Sequence, residues 1–332
     1  MKFGPVPTSD AVGAILAHSI ALPDGRLRKG VRLTEDHIGA LQAAGLAEVI
    51  VATLGPDDLD ENAAAAELAG ALVPDPGAAS IEVSDSFTGR VNLKSSITGL
   101  AMIDTEKVHA LNRVDPMVTL ATVPPYAPMR AGRMVGTVKI ISYAVDRAAI
   151  KAACDVARDA IRVVPPVITT ASLIVTRIDG GPSDDKGVQA VKGRLEALDV
   201  DLTQVLHTPH REEDIAKALQ SAGGQIKLIL TASATSDAHD VAPEAVRLSG
   251  GQITRFGMPV DPGNLLFLGD IGDTPVIGLP GCARSPALNG ADWVLERVVC
   301  GIDVQSEDIA AMGVGGLLKE IPSRPQPRDK RR

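Results

Sequence analysis

The segment Thr231-Ala-Ser-Ala-Thr-Ser-Asp-Ala-His-Asp240 leaves an apolar run and enters an amphipathic one. Its small residues let backbone amides approach an anion, and the hydroxyls of Thr231, Ser233 and Ser236 can donate to a phosphate. Asp237 or Asp240 can hold a magnesium ion. The same residues also make an ordinary capped turn, because neither a P-loop nor a Gly-x-Gly-x-x-Gly pattern accompanies them. A second constellation is Pro259-Val-Asp-Pro-Gly-Asn264 with Gly278-Leu-Pro-Gly-Cys-Ala-Arg-Ser-Pro286. Proline and glycine fix its loops, Asn264, Arg284 and Ser285 offer donors to a phosphate or heterocycle, and Pro286 suits a first helical turn. Two rigid turns without a ligand are the competing reading. Further upstream, Lys186 can pair with a phosphate, and Asp179 and Asp185 with amide donors; alternatively Asp184 or Asp185 caps a helix.

Other reactive side chains are less well placed. His207 and His210 could ligate a metal, but Pro209 between them argues for a loop and no second pair accompanies them. Cys282 lies within the second constellation without an assignable base, and reads as a small residue rather than a nucleophile. His18 and His109 read as ordinary surface or core residues. The cysteines Cys154, Cys282 and Cys300 are too far apart for a zinc or redox pair and fit reduced thiols.

Elements that would position these groups follow from periodicity and caps. In the first 165 residues or so, Thr34 caps a helix carrying Glu35 and Asp36 in its first turn, with Ile38 and Leu41 inward and Gly45 as its stop. A strand at Val49-Ile50-Val51 follows, then an Ala-rich helix from Asp57 or Asp58 through Leu72, short extended runs at 81–83 and 118–123, a strand over 134–143, and a helix capped by Asp146. From Pro165-Pro166 onward, strands and helices alternate as in a mostly parallel sheet covered on both faces. Strands are expected at 172–178, 202–206, 226–230 and 274–279. Helices are expected along Val188, Val191, Leu195 and Leu198, over 212–219 and 241–248, and from Ala287 to Cys300 with Trp293. Ligands of such sheets sit beyond the strands' carboxyl ends: 176–186, 207–213, 231–240, 258–264 and 279–285. The expected organisation is an α+β region over 1–165, a three-layer αβα domain over 166–302, and an extension over 303–332 whose proline-interrupted basic end, 321–332, reads as a linker.

The composition narrows the classes of function. The chain has 332 residues, 45% hydrophobic and 22% charged, as a soluble globular protein does. Its 2% aromatic content leaves no stacking platform for single-stranded nucleic acid, and a net charge of −8 disfavours a general polyanion binder. The start, Met1-Lys2-Phe3-Gly4-Pro5, lacks an apolar signal core and no stretch of about 18 apolar residues occurs, so a soluble cytoplasmic protein without membrane contact is expected.

Over roughly its C-terminal half the chain resembles the molybdopterin-binding fold of the MoeA and MogA type proteins. The resemblance is carried by Thr231 to Asp240, by Asp261-Pro262-Gly263 and by Leu279-Pro280-Gly281-Cys282, in that order. It is similar over nearly its whole length to the molybdopterin-binding module that precedes the transferase domain of MocA-type cytidylyltransferases. The shared marks are Phe3-Gly-Pro-Val6, Gly13-Ala-Ile-Leu-Ala-His18, Leu111-Asn-Arg-Val-Asp115, Phe256-Gly-Met-Pro-Val-Asp-Pro-Gly-Asn264, Gly281-Cys-Ala-Arg-Ser-Pro286 and Met312-Gly-Val-Gly-Gly316. Two departures stand out: Ser233-Ala234 replaces a double glycine, and Pro209-His210 stands where an acid is usual. The resemblance implies a MogA-like αβα domain that binds molybdopterin or molybdenum cofactor through Thr231, Ser233, Ala234, Ser236, Asp237, Asp240, Pro262, Gly263, Asn264, Pro280, Gly281, Cys282, Arg284, Ser285, Asp185 and Lys186. It also implies a homo-oligomer that holds or delivers the cofactor for a cytidylyltransferase domain or protein, the chain stopping in what looks like the connecting linker. An enzyme of nucleotidyl transfer or molybdate insertion, with magnesium on Asp237 or Asp240, is the alternative, and a ligand-free scaffold subunit a third.

Overall fold

The computed structural model describes residues 1–180 and 184–318. The chain is mixed α/β and divides into two compact units, one of Met1–Ile97 with Ala101–Val164, the other of Thr98–Leu100 with the chain from Pro165 on.

The first unit holds two hydrophobic clusters. The smaller gathers Leu16, Leu33, Ile38, Leu41, Val49 and Val51 under an antiparallel sheet in which Glu48–Thr53 lies between Lys2–Pro7 and Ile15–Leu16. Pro5 and Pro7 lie on an edge strand, where a missing N–H is tolerated. The helix Glu35–Ala43 is capped by Thr34 and followed by Gly45 at φ +79°, a left-handed conformation open to glycine. The larger cluster packs the helices Glu61–Leu72 and Arg147–Ala157 against a four-stranded antiparallel sheet of Val118–Thr122, Met134–Ile140, Arg90–Ser95 and Ile81–Val83. The Ala-rich helix starts later than the sequence predicts. Asp58–Asp60 is a strand paired with Ala144–Asp146, and Asp60 supplies the cap by accepting from the amides of Asn62 and Ala63. The helix Thr105–Val114 was not expected from periodicity.

The second unit is built on one six-stranded sheet. Its strands are β1 (Thr170–Arg177), β2 (Asp201–Pro209), β3 (Ile226–Leu230), β4 (Gln252–Phe256), β5 (Phe267–Ile271) and β6 (Thr274–Leu279). Their spatial order is β2-β1-β3-β6-β5-β4, parallel from β2 to β6 with β5 antiparallel to both neighbours. The helices that cover it are α1 (Asp185–Glu196), α2 (Glu212–Ser221), α3 (Val241–Leu248) and α4 (Gly290–Val299), and a short helix, Ser306–Ala310, follows. Alternation along β1 decides the layers: Leu173 and Val175 face a cluster with Val191 and Leu195 of α1 and Val294, Leu295 and Val298 of α4. Ile174 faces the opposite cluster, with Ile215 and Leu219 of α2 and Ala242, Ala245 and Val246 of α3. Two helical layers therefore enclose the sheet.

Three sequence expectations need correction here. β4 and β5 were not foreseen. β2 runs on through Pro209, so His207 is a strand residue and not part of a loop. Pro286 does not open the last helix: Gly281–Arg284 forms a 3-10 turn, and α4 begins only at Gly290 behind the cap Asn289.

Candidate functional site

The connection from β1 passes through α1 to β2, whereas that from β3 passes through α3 on the other face of the sheet. The carboxyl ends of β1 and β3 thus flank a topological switch point, where diverging connections leave a crevice. Thr176 occupies the end of β1 and is buried. Its Oγ1 accepts the Ala232 amide at 2.8 Å and lies 3.0 Å from Nδ1 of His210, tying together the segments after β1, β2 and β3.

Arg284 reaches the same edge from the turn after β6. Its Nη2 donates to the Thr231 carbonyl at 3.0 Å. Its Nη1 is buried and has no hydrogen-bond partner among the described residues. A buried donor left without an acceptor is costly, more so on a cation. Burial lowers the guanidinium from its ordinary value, opposed by the charge of Asp184. Nη1 lies against the first turn of α1: a Cβ on Gly187 would stand 3.1 Å from it and 2.8 Å from Cδ2 of Leu230. A helical glycine costs about 1 kcal/mol relative to alanine, and here it admits the arginine.

The start of α1 contributes in a second way. Asp184 stands at its N-cap position but makes no side-chain cap. Its carboxylate is engaged elsewhere, accepting from Nε of Arg177 at 2.6 Å with Nδ1 of His207 at 3.3 Å. Among the described residues, no side chain therefore caps the positive end of the helix beside Arg284. A helix start without a side-chain cap and a guanidinium N–H without a partner, both among the described residues, are together suited to an oxyanion.

The predicted residues divide into groups. Thr231 and Arg284 are brought together by a hydrogen bond. Asp185 and Lys186 flank this place with exposed side chains, and Ser233 and Ala234 are exposed on the loop after β3. Asp237 and Asp240 serve that loop itself. Asp237 accepts the His239 amide at 2.8 Å, and Asp240 accepts the amides of Ser236 at 2.8 Å and Val241 at 2.7 Å. No group of three or more His, Cys, Asp or Glu side chains among the described residues could hold a metal ion.

Pro262 and Gly263 pack on the start of α4. The Pro262 carbonyl accepts the Gly290 amide at 2.9 Å, and a Cβ on Gly263, whose φ is +140°, would stand 2.6 Å from that nitrogen. Asn264 is exposed, its backbone carbonyl accepting from Met258. Pro280 is buried, whereas Gly281, Cys282 and Ser285 are exposed on the turn that carries Arg284. Desolvation raises the Cys282 thiol above its ordinary value, with Asp292 and Asp261 adding to the rise and Arg194 opposing it. Residues 181–183, within the loop predicted to follow β1, and the 321–332 tail lie outside the described residues.

Sequence reasoning included Thr176 and His210 only within the strand ends 176–186 and 207–213, without a role at this place, and missed Gly187 and Arg194. A signal existed for the last two: Gly187, Val191, Arg194 and Leu195 recur at helical spacing, which places the glycine and the arginine beside the buried face of α1.

Comparison with known proteins adds little at this level of likeness. A family model described as Domain of unknown function (DUF8806) matches residues 5–53, in the first unit. No match is found among curated proteins. Among solved structures, the chain is similar to a molybdopterin biosynthesis moea protein from Pyrococcus horikosii, with a TM-score of 0.31 and 13% identity over 90% of this chain and 75% of that one. A molybdenum cofactor biosynthesis protein from Pyrococcus furiosus gives a TM-score of 0.25 and 12% identity over 91% of this chain and 66% of that one. No helix among the described residues is long and apolar enough to cross a membrane.

Proposed function

We propose that the second unit binds the anionic, phosphate-bearing pterin of molybdenum cofactor biosynthesis at the carboxyl ends of β1, β3 and β6. The observation that carries this reading is the buried Nη1 of Arg284, a guanidinium N–H that has no acceptor among the described residues and lies beside a helix start that none of them caps with a side chain. An incoming phosphate oxygen would satisfy it, converting a desolvated orphan into a charge-assisted hydrogen bond. The sequence resemblance supplies the identity of the ligand. The role is binding rather than chemistry: the module holds molybdopterin or molybdenum cofactor and hands it over for cytidylyl transfer by a partner domain or protein.

The test is equilibrium binding of molybdopterin to the purified chain under anaerobic conditions, with inorganic phosphate as competitor and CTP with magnesium in parallel samples. Saturable binding displaced by phosphate, without consumption of CTP, is the expected result. Absence of binding would remove the reading, and CTP turnover by this chain alone would replace the carrier with an enzyme.

A further inference from the structure

Arg194, in the third turn of α1, is the counterpart of Arg284. Its side chain is only 10% exposed and forms an ion pair through Nε with Asp292 of α4, itself 10% exposed. Nη1 donates to the carbonyls of Ala190 at 3.2 Å and Ala283 at 2.9 Å, and Nη2 to those of Ser285 at 2.7 Å and Ala287 at 3.0 Å. Three of these acceptors, Ala283, Ser285 and Ala287, lie in or just after the turn that carries Arg284, and the first two are its immediate chain neighbours. A planar guanidinium fixes the directions of its donors, so this pattern holds the backbone on both sides of Arg284 in one orientation. The same helix offers Gly187 as the surface on which the Arg284 guanidinium lies.

We infer that Arg194 is the positioning residue of the anion site: it does not touch the ligand, but holds the Ala283–Ala287 backbone so that Nη1 of Arg284 stays against the first turn of α1. The inference rests on the reading of Arg284 given above. Lysine at this position keeps the charge opposite Asp292 but cannot hold three carbonyls of the turn in one plane. Without that frame, Arg284 is free to leave its buried position for water.

The test is a double-mutant cycle with molybdopterin as the probe, using Arg194→Lys, Arg194→Met, Arg284→Ala and the double variants. Emission of Trp293, the chain's single tryptophan and a neighbour of Asp292 on α4, reports in each variant whether the region remains packed. Each Arg194 variant is expected to weaken binding about tenfold when Arg284 is present and not at all in the Arg284→Ala background. An equal loss in both backgrounds would make Arg194 a general stabiliser and overturn the inference. Wild-type affinity in the Arg194 variants, with Arg284→Ala weakened, would overturn it while leaving the anion site standing. Wild-type affinity in Arg284→Ala would remove the site itself, and the inference with it.

The unsubstituted protein gives an arm that does not depend on a variant folding. In arginine side-chain NMR, added molybdopterin is expected to shift the Arg284 guanidinium signals and leave the Arg194 resonances in place. Shifts at Arg194 with Arg284 unmoved would make Arg194 the contact and contradict the assignment.

Discussion

The loop after β3 and the turn after β6 leave the same edge of one sheet, yet their charged side chains are satisfied in opposite ways. In the first, Asp237 and Asp240 accept backbone amides of their own loop, and Glu244 is engaged by Nδ1 of His239 at 2.7 Å and Nη1 of Arg247 at 2.6 Å. In the second, Arg284 keeps a buried nitrogen with no acceptor among the described residues, while Arg194 holds the backbone around it. The acids that attract notice as metal ligands in the sequence thus accept amides of their own loop or of the helix it enters. The arginine that reads as one donor among several is the group with bonding capacity to offer. The difference teaches that an unmet bond marks a binding site better than the density of polar residues does.

The contrast can be broken or sharpened by substitution, in order of effect on ligand binding. Arg284→Met retains most of the side-chain volume and removes the charge. Molybdopterin affinity should fall by about 30-fold, the equivalent of roughly 2 kcal/mol for a hydrogen bond to a charged group. Chemical denaturation should show stability unchanged or raised, because a desolvated cation is lost along with its single bond to Thr231. Gly187→Ala should weaken binding several-fold, since the new Cβ meets the ends of the Arg284 and Leu230 side chains at 3.1 and 2.8 Å and must displace them. Thermal melting should move little, as the helix gains about 1 kcal/mol of propensity against that displacement.

Asp240→Ala has the opposite profile. Loss of the cap of α3 should cost about 1 kcal/mol in denaturant titration, and affinity measured in folded protein should change less than about twofold. A larger loss of affinity than of stability would return Asp240 to the ligand site.

Glu296 on α4 should leave binding untouched and appear only in the pH dependence of stability. Burial pushes its carboxyl up from 4.5 to about 8, and Asp292 adds to the rise. The folded state then holds a proton that the unfolded state releases, so raising the pH from about 4.5 to about 8 lowers stability through this group. Glu296→Gln should flatten that decline in urea titrations across the interval, and an unchanged slope would refute the assignment.

The sequence made several elements legible because their signals are local. Thr34 with Gly45, and Asp146 at the start of its helix, announce themselves through cap chemistry, and both act as caps in the structure. β5 was illegible because Gly269 interrupts its apolar pattern for a reason found only across the sheet. A Cβ on Gly269 would stand 2.3 Å from the Gln252 carbonyl oxygen of β4. Such a glycine reads as loop in one dimension and as a seat for a neighbour in three. The site followed the same division. Thr231 and Arg284 could be named from residue type and from their place at strand ends. That one nitrogen of Arg284 has no partner among the described residues, that Asp184 is engaged by His207 as well as by nearby Arg177, and that Arg194 frames the turn all depend on how distant parts of the chain are brought together.

The measurement that bears most directly on the central claim is isothermal titration of molybdopterin into wild type and Arg284→Met, with the melting temperature of each recorded on the same preparations. The account predicts that affinity collapses in the variant while the melting temperature holds or rises. Equal affinity in the two proteins, or a loss of affinity that merely follows a loss of stability, would contradict it.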